Sequence, residues 1–368
     1  MTEAPLIPYG RQWVDEDDRA AVAAVLAGDW LTQGPTVERF EVAVAHSVGA
    51  RHAVSFSSAT AGLHAACAAG DLGTGDFVVT SPLTFIASAN CARYVGADIG
   101  VVDIDARTWN TDPTLVPAVD ALIAVHYAGL PMDLTRLAHR PRVVIEDASH
   151  ALGAVTPDGP VGNCAHSDMC VFSFHPVKPI TSGEGGMVTT NDDRLADRLR
   201  AFRSHGIIRD PARGGWVYDA ASLGFNYRLT DIQAALGLSQ LRRLEEFTQR
   251  RGELADRYRT ALADLPVELP PAAPAGARHS YHLFAVRVGS RRQVYDRLRL
   301  AGIGVQVHYV PVHHHSVTPR LRPGWDSAPT CDEVYSGLLS LPLFPLLSNV
   351  EQDRVIDALA TAVTDPVD

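Results

Sequence analysis

Apolar positions along the chain fall into two regimes. Between residues 52 and 190, short and fully apolar runs alternate with stretches of helical spacing. The runs predict strands at 52–56, 77–80, 99–102, 122–126, 143–146, 169–173 and 187–190, with helices near 59–69 and 85–95 between the first of them. A strand apolar at every position is buried on both faces, so the alternation predicts an α/β fold with a mostly parallel central sheet flanked by helices. Two helices precede this region. Val22, Val25 and Leu26 follow the acidic run 15–18, which suits a helix N-terminus, and Pro35 opens a second helix reaching Val48.

After about residue 230 the spacing changes. Residues 230–263 read as one long helical region, with Ile232, Leu236, Leu241 and Leu244 as apolar positions. A Pro-rich break at 265–275 follows, then a strand at 281–288, a helix at 291–300, a strand at 305–308 and helices near 331–339 and 350–363. This is a smaller α+β unit. The long helix is the connector, and the expected division is a large domain over 1–245 and a small C-terminal domain over 246–368.

Composition narrows the function classes. With 46% apolar and 20% charged residues the chain is globular, not disordered. Its net charge of −10, from 42 acidic against 32 basic residues, lacks the basic footprint of a nucleic-acid binder. No apolar run approaches the roughly 20 residues that span a bilayer. Residues 1–10 show neither a basic nor a long apolar region, so the expectation is a cytoplasmic protein. Cys67, Cys91, Cys164, Cys170 and Cys331 are scattered without C-x-x-C spacing and read as reduced thiols, with no zinc site.

One count stands out: the 32 basic residues include a single lysine, Lys178. Arginine replaces lysine on a surface, but not where a neutral amine must attack a carbonyl, because guanidinium stays protonated. Ligands in such sheets bind at the carboxyl ends of the strands. Four strand ends offer matching chemistry there. Residues 57–61 (Ser-Ser-Ala-Thr-Ala) open a helix and present N–H and hydroxyl donors to an anion; alone they read equally well as a plain cap. Thr84 and Phe85 place an aromatic ring at the sheet's mouth, where it stacks on a planar ligand or simply fills the core. Asp147 ends the strand at 143–146, where it holds a proton on a pyridine nitrogen or caps a turn. Residues 171–186 (VFSFHPVKPITSGEGG) carry Ser173, a further phosphate donor, and Lys178, which can form an imine; Gly183, Gly185 and Gly186 turn into the next strand. Together the four describe a site for pyridoxal 5′-phosphate (PLP): phosphate cradle, ring stack, pyridinium carboxylate and imine-forming lysine.

These segments, together with 30–35 (WLTQGP), 202–206 (FRSHG), 224–237 (GFNYRLTDIQAALG) and 302–309 (GIGVQVHY), resemble the DegT/DnrJ/EryC1/StrS family of nucleotide-sugar aminotransferases nearly end to end. The resemblance implies the fold-type I PLP-dependent transferase architecture. It implies that Lys178 carries the cofactor and acts as acid and base, that Asp147 pairs with the pyridine nitrogen, and that His150 lies beside the ring. It further implies that Phe85 stacks on the outer face, that Ala59, Thr60 and Ser173 bind the phosphate, and that Asn226 reaches the phosphate of a neighbouring subunit in a homodimer with shared active sites. His308 and Tyr309 match a position near the sugar; Gln33, Arg228, Trp13 and His282 are further candidates on the substrate side.

Within the family the segments LTQG, SAT, SHALG (149–153), KPIT, FRSHG, ALGLSQL and VHY are most similar to the branch that aminates C4 in pseudaminic acid synthesis, forming UDP-4-amino-4,6-dideoxy-N-acetyl-β-L-altrosamine. The implied reaction is a ping-pong transfer from L-glutamate to a UDP-linked 4-keto-6-deoxy-N-acetyl sugar. The alternatives are a family member acting at C3 or C4 of another, dTDP-linked sugar, and a PLP-binding regulator without turnover. A sugar dehydratase of similar fold is disfavoured, since those relatives carry His where Lys178 stands. His313, His314 and His315 look like a metal tract, but consecutive loop residues point apart and no carboxylate or Cys stands beside them at ligand spacing, so no metal is expected.

Overall fold

A computed structural model of the chain describes residues 5–209, 212, 214, 216–316 and 320–364; the outer ends of the two expected domains, 1–4 and 365–368, lie outside these. Helix α1 (Glu16–Leu26) starts at a reciprocal cap between Asp15 and Asp18, and α2 (Pro35–Val48) ends at Gly49, whose φ of 76° favours glycine. There follow β1 (His52–Phe56), α3 (Ala59–Ala69), β2 (Phe77–Thr80), α4 (Ala87–Tyr94), β3 (Asp98–Val101), β4 (Ala121–Val125) and β5 (Val143–Asp147). A small hairpin, β6 (Val155–Thr156) and β7 (Gly159–Pro160), precedes β8 (Met169–Ser173), β9 (Gly186–Thr190) and α5 (Asp193–Arg203).

The seven-stranded sheet has the order β1-β9-β8-β5-β4-β2-β3. The neighbours from β8 to β3 are parallel, and β9 alone runs against its neighbours. This is the mostly parallel α/β sheet expected. Its strands β2, β4, β5, β8 and β9 are buried at every position. Leu63, Ile99, Ile123 and Ile145 belong to one core, and Phe40, Phe172, Phe174 and Met187 to another that includes α2. Each such side chain contributes about 1.5–3 kcal/mol by leaving water. Burial on both faces explains why these runs do not alternate.

The chain continues through the hairpin β10 (Ile207–Arg209) and β11 (Tyr218–Ala220), then α6 (Asp231–Leu241) and α7 (Leu244–Ala261). A separate core joins α7 to the antiparallel sheet of β12 (Val267–Glu268), β13 (Phe284–Val288) and β14 (Leu338–Leu341), with α8 (Arg291–Leu300) and α10 (Asn349–Thr364) packed on it; α9 (Pro329–Gly337) leads into β14. Phe247 belongs to a core of the large sheet and Leu254 to the core of the small sheet, so the chain crosses between them within α7. Ile7 also packs in the core of the small sheet.

Three local expectations differ from the structure. The region 230–263 is two helices, not one. At the break, the N–H groups of Arg242 and Arg243 reach back only three residues, to the carbonyls of Ser239 and Gln240. The fully buried Asp18 needs a charged partner, and the break lets Arg243 reach both Asp18, at 2.6 Å, and Asp15, at 2.7 Å. Residues 305–308 form no strand: Gln306 alone exchanges backbone bonds with Ser340, and beyond it the chain turns away under a bond from the Tyr127 hydroxyl to the His308 carbonyl. The helix expected near 331–339 stops at Gly337, and residues 338–341 are strand β14. The short segment Leu-Leu-Ser-Leu fits either period, and pairing with the distant β13 decides it. Among the described residues no helix is long and apolar enough to cross a membrane.

Candidate active site

A cavity of about 510 Å³ opens at the carboxyl ends of the strands. Its lining draws Ser57 to Thr60 from the β1–α3 turn, Thr84 and Phe85 from the segment before α4, Asp147 from the end of β5, Ser173 from the end of β8, and Lys178 from the loop into β9. His150, His308 and Tyr309 complete it, with His282 and Tyr9.

Asp147 is buried and held at both oxygens. Ser88 Oγ donates to Oδ2 at 2.6 Å; Ser149 donates to Oδ1 through its N–H at 3.1 Å and its Oγ at 2.6 Å. Hydroxyls on a carboxylate fix its orientation and supply part of the solvation lost on burial. Ser88 is itself set by Thr84 Oγ1 at 2.7 Å. Lys178 lies in the same wall, and its withdrawal from water brings its pKa down to about 8, against the pull of the Asp147 charge. A lysine so poised offers a substantial neutral fraction near neutral pH.

Three imidazoles surround this amine. His282 Nε2 lies 3.5 Å from Lys178 Nζ, and the rings of His282 and His150 are 4.4 Å apart. His150 Nδ1 accepts from the Ala128 N–H at 3.2 Å, so its Nε2 carries the proton and donates to the Tyr309 hydroxyl at 2.9 Å. Burial, then the charge on Lys178, pushes both His150 and His282 well below the usual imidazole range; burial brings His308 down to about 4. These rings are neutral at pH 7.

The anion end lies at the start of α3. Ser58 caps the helix by accepting from the Ala61 N–H at 3.1 Å, and the first N–H groups of a helix have no acceptor within it. Strand β9 reaches this turn only because residue 186 is glycine: a Cβ there would lie 2.5 Å from the Ser58 carbonyl carbon and 2.6 Å from the Ala59 nitrogen. The residues therefore fit a phosphorylated pyridine. Donors stand at one end, a fixed carboxylate and a neutral-prone amine deeper in, and the Phe85 ring at the mouth, 5.8 Å from Tyr309.

Of the residues singled out in the sequence, Lys178, Asp147, His150, Ala59, Thr60, Phe85, Ser173, His308 and Tyr309 all line this one cavity, as does His282. Gln33 and Arg228 line a different hollow of about 620 Å³, between α2, β1 and α5. Asn226 forms a backbone bridge with Ser204 and is outside the cavity lining. Trp13 stacks on Phe247 at 5.6 Å under the Arg243 guanidinium, away from the cavity, so its candidacy on the substrate side is withdrawn. Sequence reasoning missed Ser88, Ser149 and Tyr9. Ser149 could have been found as the hydroxyl two residues past a strand-end Asp, where Asx-type turns recur; Ser88 and Tyr9 reach the site by packing alone.

The DegT/DnrJ/EryC1/StrS aminotransferase family matches residues 12–360. The spore coat polysaccharide biosynthesis protein SpsC of Bacillus subtilis (strain 168) is 35% identical over 380 residues, covering 97% of either chain. Among solved structures, Spr1654 from Streptococcus pneumoniae in its PMP-form superposes with a TM-score of 0.91 at 27% identity, covering 97% of this chain and 99% of that one, and in its PLP-form with 0.89. Helicobacter pylori PseC, an aminotransferase involved in the biosynthesis of pseudoaminic acid, gives 0.90 at 29% identity, covering 97% and 99%.

Proposed function

The chain belongs to the DegT/DnrJ/EryC1/StrS aminotransferase family and is a PLP-dependent sugar aminotransferase; from that premise we propose that it moves an amino group from L-glutamate to the C4 keto carbon of a UDP-linked 4-keto-6-deoxy-N-acetyl sugar, as in pseudaminic acid synthesis. The observation that carries the chemistry is the convergence of the only lysine with a hydrogen-bonded aspartate and a helix N-terminus in one cavity. The 29% identity to PseC over nearly the whole chain supports the substrate.

When bound, PLP supplies an electron sink that makes the bond from the donor's Cα to hydrogen acidic. The chain's own residues do the rest. Lys178 Nζ takes the proton from Cα of glutamate and, in the second half of the cycle, delivers one to C4 of the sugar. Asp147 keeps a proton on the ring nitrogen, and Ser88 and Ser149 hold its carboxylate in place. His150 directs its Nε2–H to Tyr309 and adds no positive charge beside the ring. Ala59, Thr60 and Ser173 would hold the phosphate, and Phe85 would stack on the ring. 2-Oxoglutarate leaves before the sugar enters, so one cavity serves both substrates in turn.

His308 and Tyr309 face the sugar in this reading. Gln33, Asn226 and Arg228 serve the site of a second subunit, which makes the active form a homodimer with shared active sites. A second reading, amination of a different nucleotide-linked keto-sugar for a surface glycan, draws support from the 35% identity to SpsC. The test is a product assay with L-glutamate and a panel of 4-keto UDP- and dTDP-sugars. The expected outcome is 2-oxoglutarate and a 4-amino product with the UDP-linked N-acetyl sugar. Preference for a dTDP-sugar would transfer the proposal to the second reading; no turnover with any of them, in protein holding its cofactor, would defeat both.

A further inference from the structure

Directly after the cavity wall at His308 and Tyr309, residues Val312–His314 make one tight helical turn. The turn sets the rings of His313 and His314 4.5 Å apart at 68°, so these neighbouring side chains converge. They meet Asp332, in the first turn of α9: His313 Nε2 and His314 Nε2 each lie 2.8 Å from the same Oδ1. The sequence argued against a metal here because loop residues diverge and no carboxylate stood near. The turn removes the first objection, and α9 supplies the carboxylate 19 residues on from His313.

We propose that His313, His314 and Asp332 form a binding site for a divalent d-block cation of the Zn²⁺ or Co²⁺ kind. Two imidazole nitrogens and one carboxylate oxygen are a borderline donor set, unlike the all-oxygen shells of Ca²⁺ and Mg²⁺. The three donor atoms lie within 4.8 Å of one another. A tetrahedral ion at about 2.0–2.1 Å from each donor needs them about 3.3 Å apart, so seating it requires the two 2.8 Å separations to Asp332 Oδ1 to open by about half an ångström and the widest separation, up to 4.8 Å, to close. His313 is almost fully buried and anchors the site, while His314 and Asp332 are partly exposed and leave the fourth position to water. Neighbouring carboxylates do not compete: Asp103 is engaged by the N–H groups of Thr330 and Cys331. The bound ion ties the segment leaving Tyr309 to α9 and so stiffens one wall of the cavity. His313 Nδ1 has no partner among the described residues. No outer acceptor steadies that ring, so the affinity falls below that of a centre with a completed outer shell.

The experiment titrates chelator-treated holoenzyme with Co²⁺ alone. The expected result is one equivalent bound with the visible d–d band of a tetrahedral ion, displaced by Zn²⁺. His314→Ala and Asp332→Asn should each weaken binding more than about tenfold while the cofactor absorbance stays unchanged. If His314→Ala fails to fold, as a metal-free melt would reveal, His314→Gln replaces it. No stoichiometric uptake by the wild type overturns the proposal. So does equal uptake by the variants, which would assign the ion to other histidines such as those of the cavity.

Discussion

The inner wall of the candidate site takes Asp147 and Ser173 from strand ends and Ser58 from the turn after β1, whereas Gln33, Asn226 and Arg228 sit on loops that leave the cavity altogether. The inner residues inherit their positions from the register of a buried sheet: Val125 pairs with Asp147 and Ser173 with Gly186. A rigid, water-excluded scaffold can hold a carboxylate and an amine to within a fraction of an ångström. The outer residues depend on loop conformation and, in the proposed dimer, on a second chain. The difference teaches that the cofactor chemistry is a property of the fold, while the choice of sugar lies where the fold is free to vary.

The strongest challenge to that contrast is Lys178→Ala. Removing the only side-chain amine should reduce transamination by at least about 10²–10⁴-fold, the range for a lost proton-transfer group, and leave the fold intact. Borohydride treatment of the wild-type holoenzyme should fix the cofactor on the peptide containing Lys178, and no other lysine exists to confuse the mapping. Labelling confined to the N-terminal amine would remove Lys178 from the centre of the site.

A smaller effect, graded with pH, probes how the inner wall poises this amine. Burial disfavours the ammonium form, so Lys178 releases its proton near pH 8, where a lysine in water would hold it until about 10.4. Only the neutral amine attacks the cofactor aldehyde. Capture of PLP by the apoprotein should therefore quicken with rising pH, by about tenfold per unit below 8, and level off above it. Stopped-flow absorbance measures this directly. A rate still climbing steadily from pH 8 to 10 would show that the wall does not desolvate the amine.

The same division between register and loop governs what could be read in the sequence. The parallel sheet was legible because full burial leaves fully apolar runs, and the inner site residues follow those runs within a few positions. The sole lysine among 32 basic residues needed no structure. The break before α7 was hidden because nothing local causes it: Arg242 and Arg243 are good helix formers, and the cause is Asp15 and Asp18, more than 200 residues away in sequence. Strand β14 was hidden for the same reason, its partner β13 being set by tertiary pairing. The clasp of Asp147 by Ser88 likewise joins two elements 59 residues apart. The convergence of His313 and His314 depends on a backbone turn that composition does not announce.

The least expected recovery tests the outer region. If Asn226 serves the partner's phosphate, two impaired variants can repair each other. In a mixed dimer of Lys178→Ala and Asn226→Ala, one site joins the missing lysine to the missing asparagine, and the other has both intact. Random reassembly of equal amounts makes half of the dimers mixed, each with one sound site of two, so about a quarter of wild-type activity should return. If Asn226 instead acts within its own chain, every site in the mixed dimer keeps one defect and nothing returns. The measurement is to dissociate the two variants together, reassemble them, confirm mixed dimers by a mass tag and assay against each parent. The Asn226→Ala parent must first be shown to be impaired and its fold intact, since the bridge to Ser204 uses only backbone atoms and should survive the change. Recovery near a quarter would place the outer residues across a subunit boundary; none, despite confirmed mixed dimers, would return Asn226 to its own chain and remove the second subunit from the site.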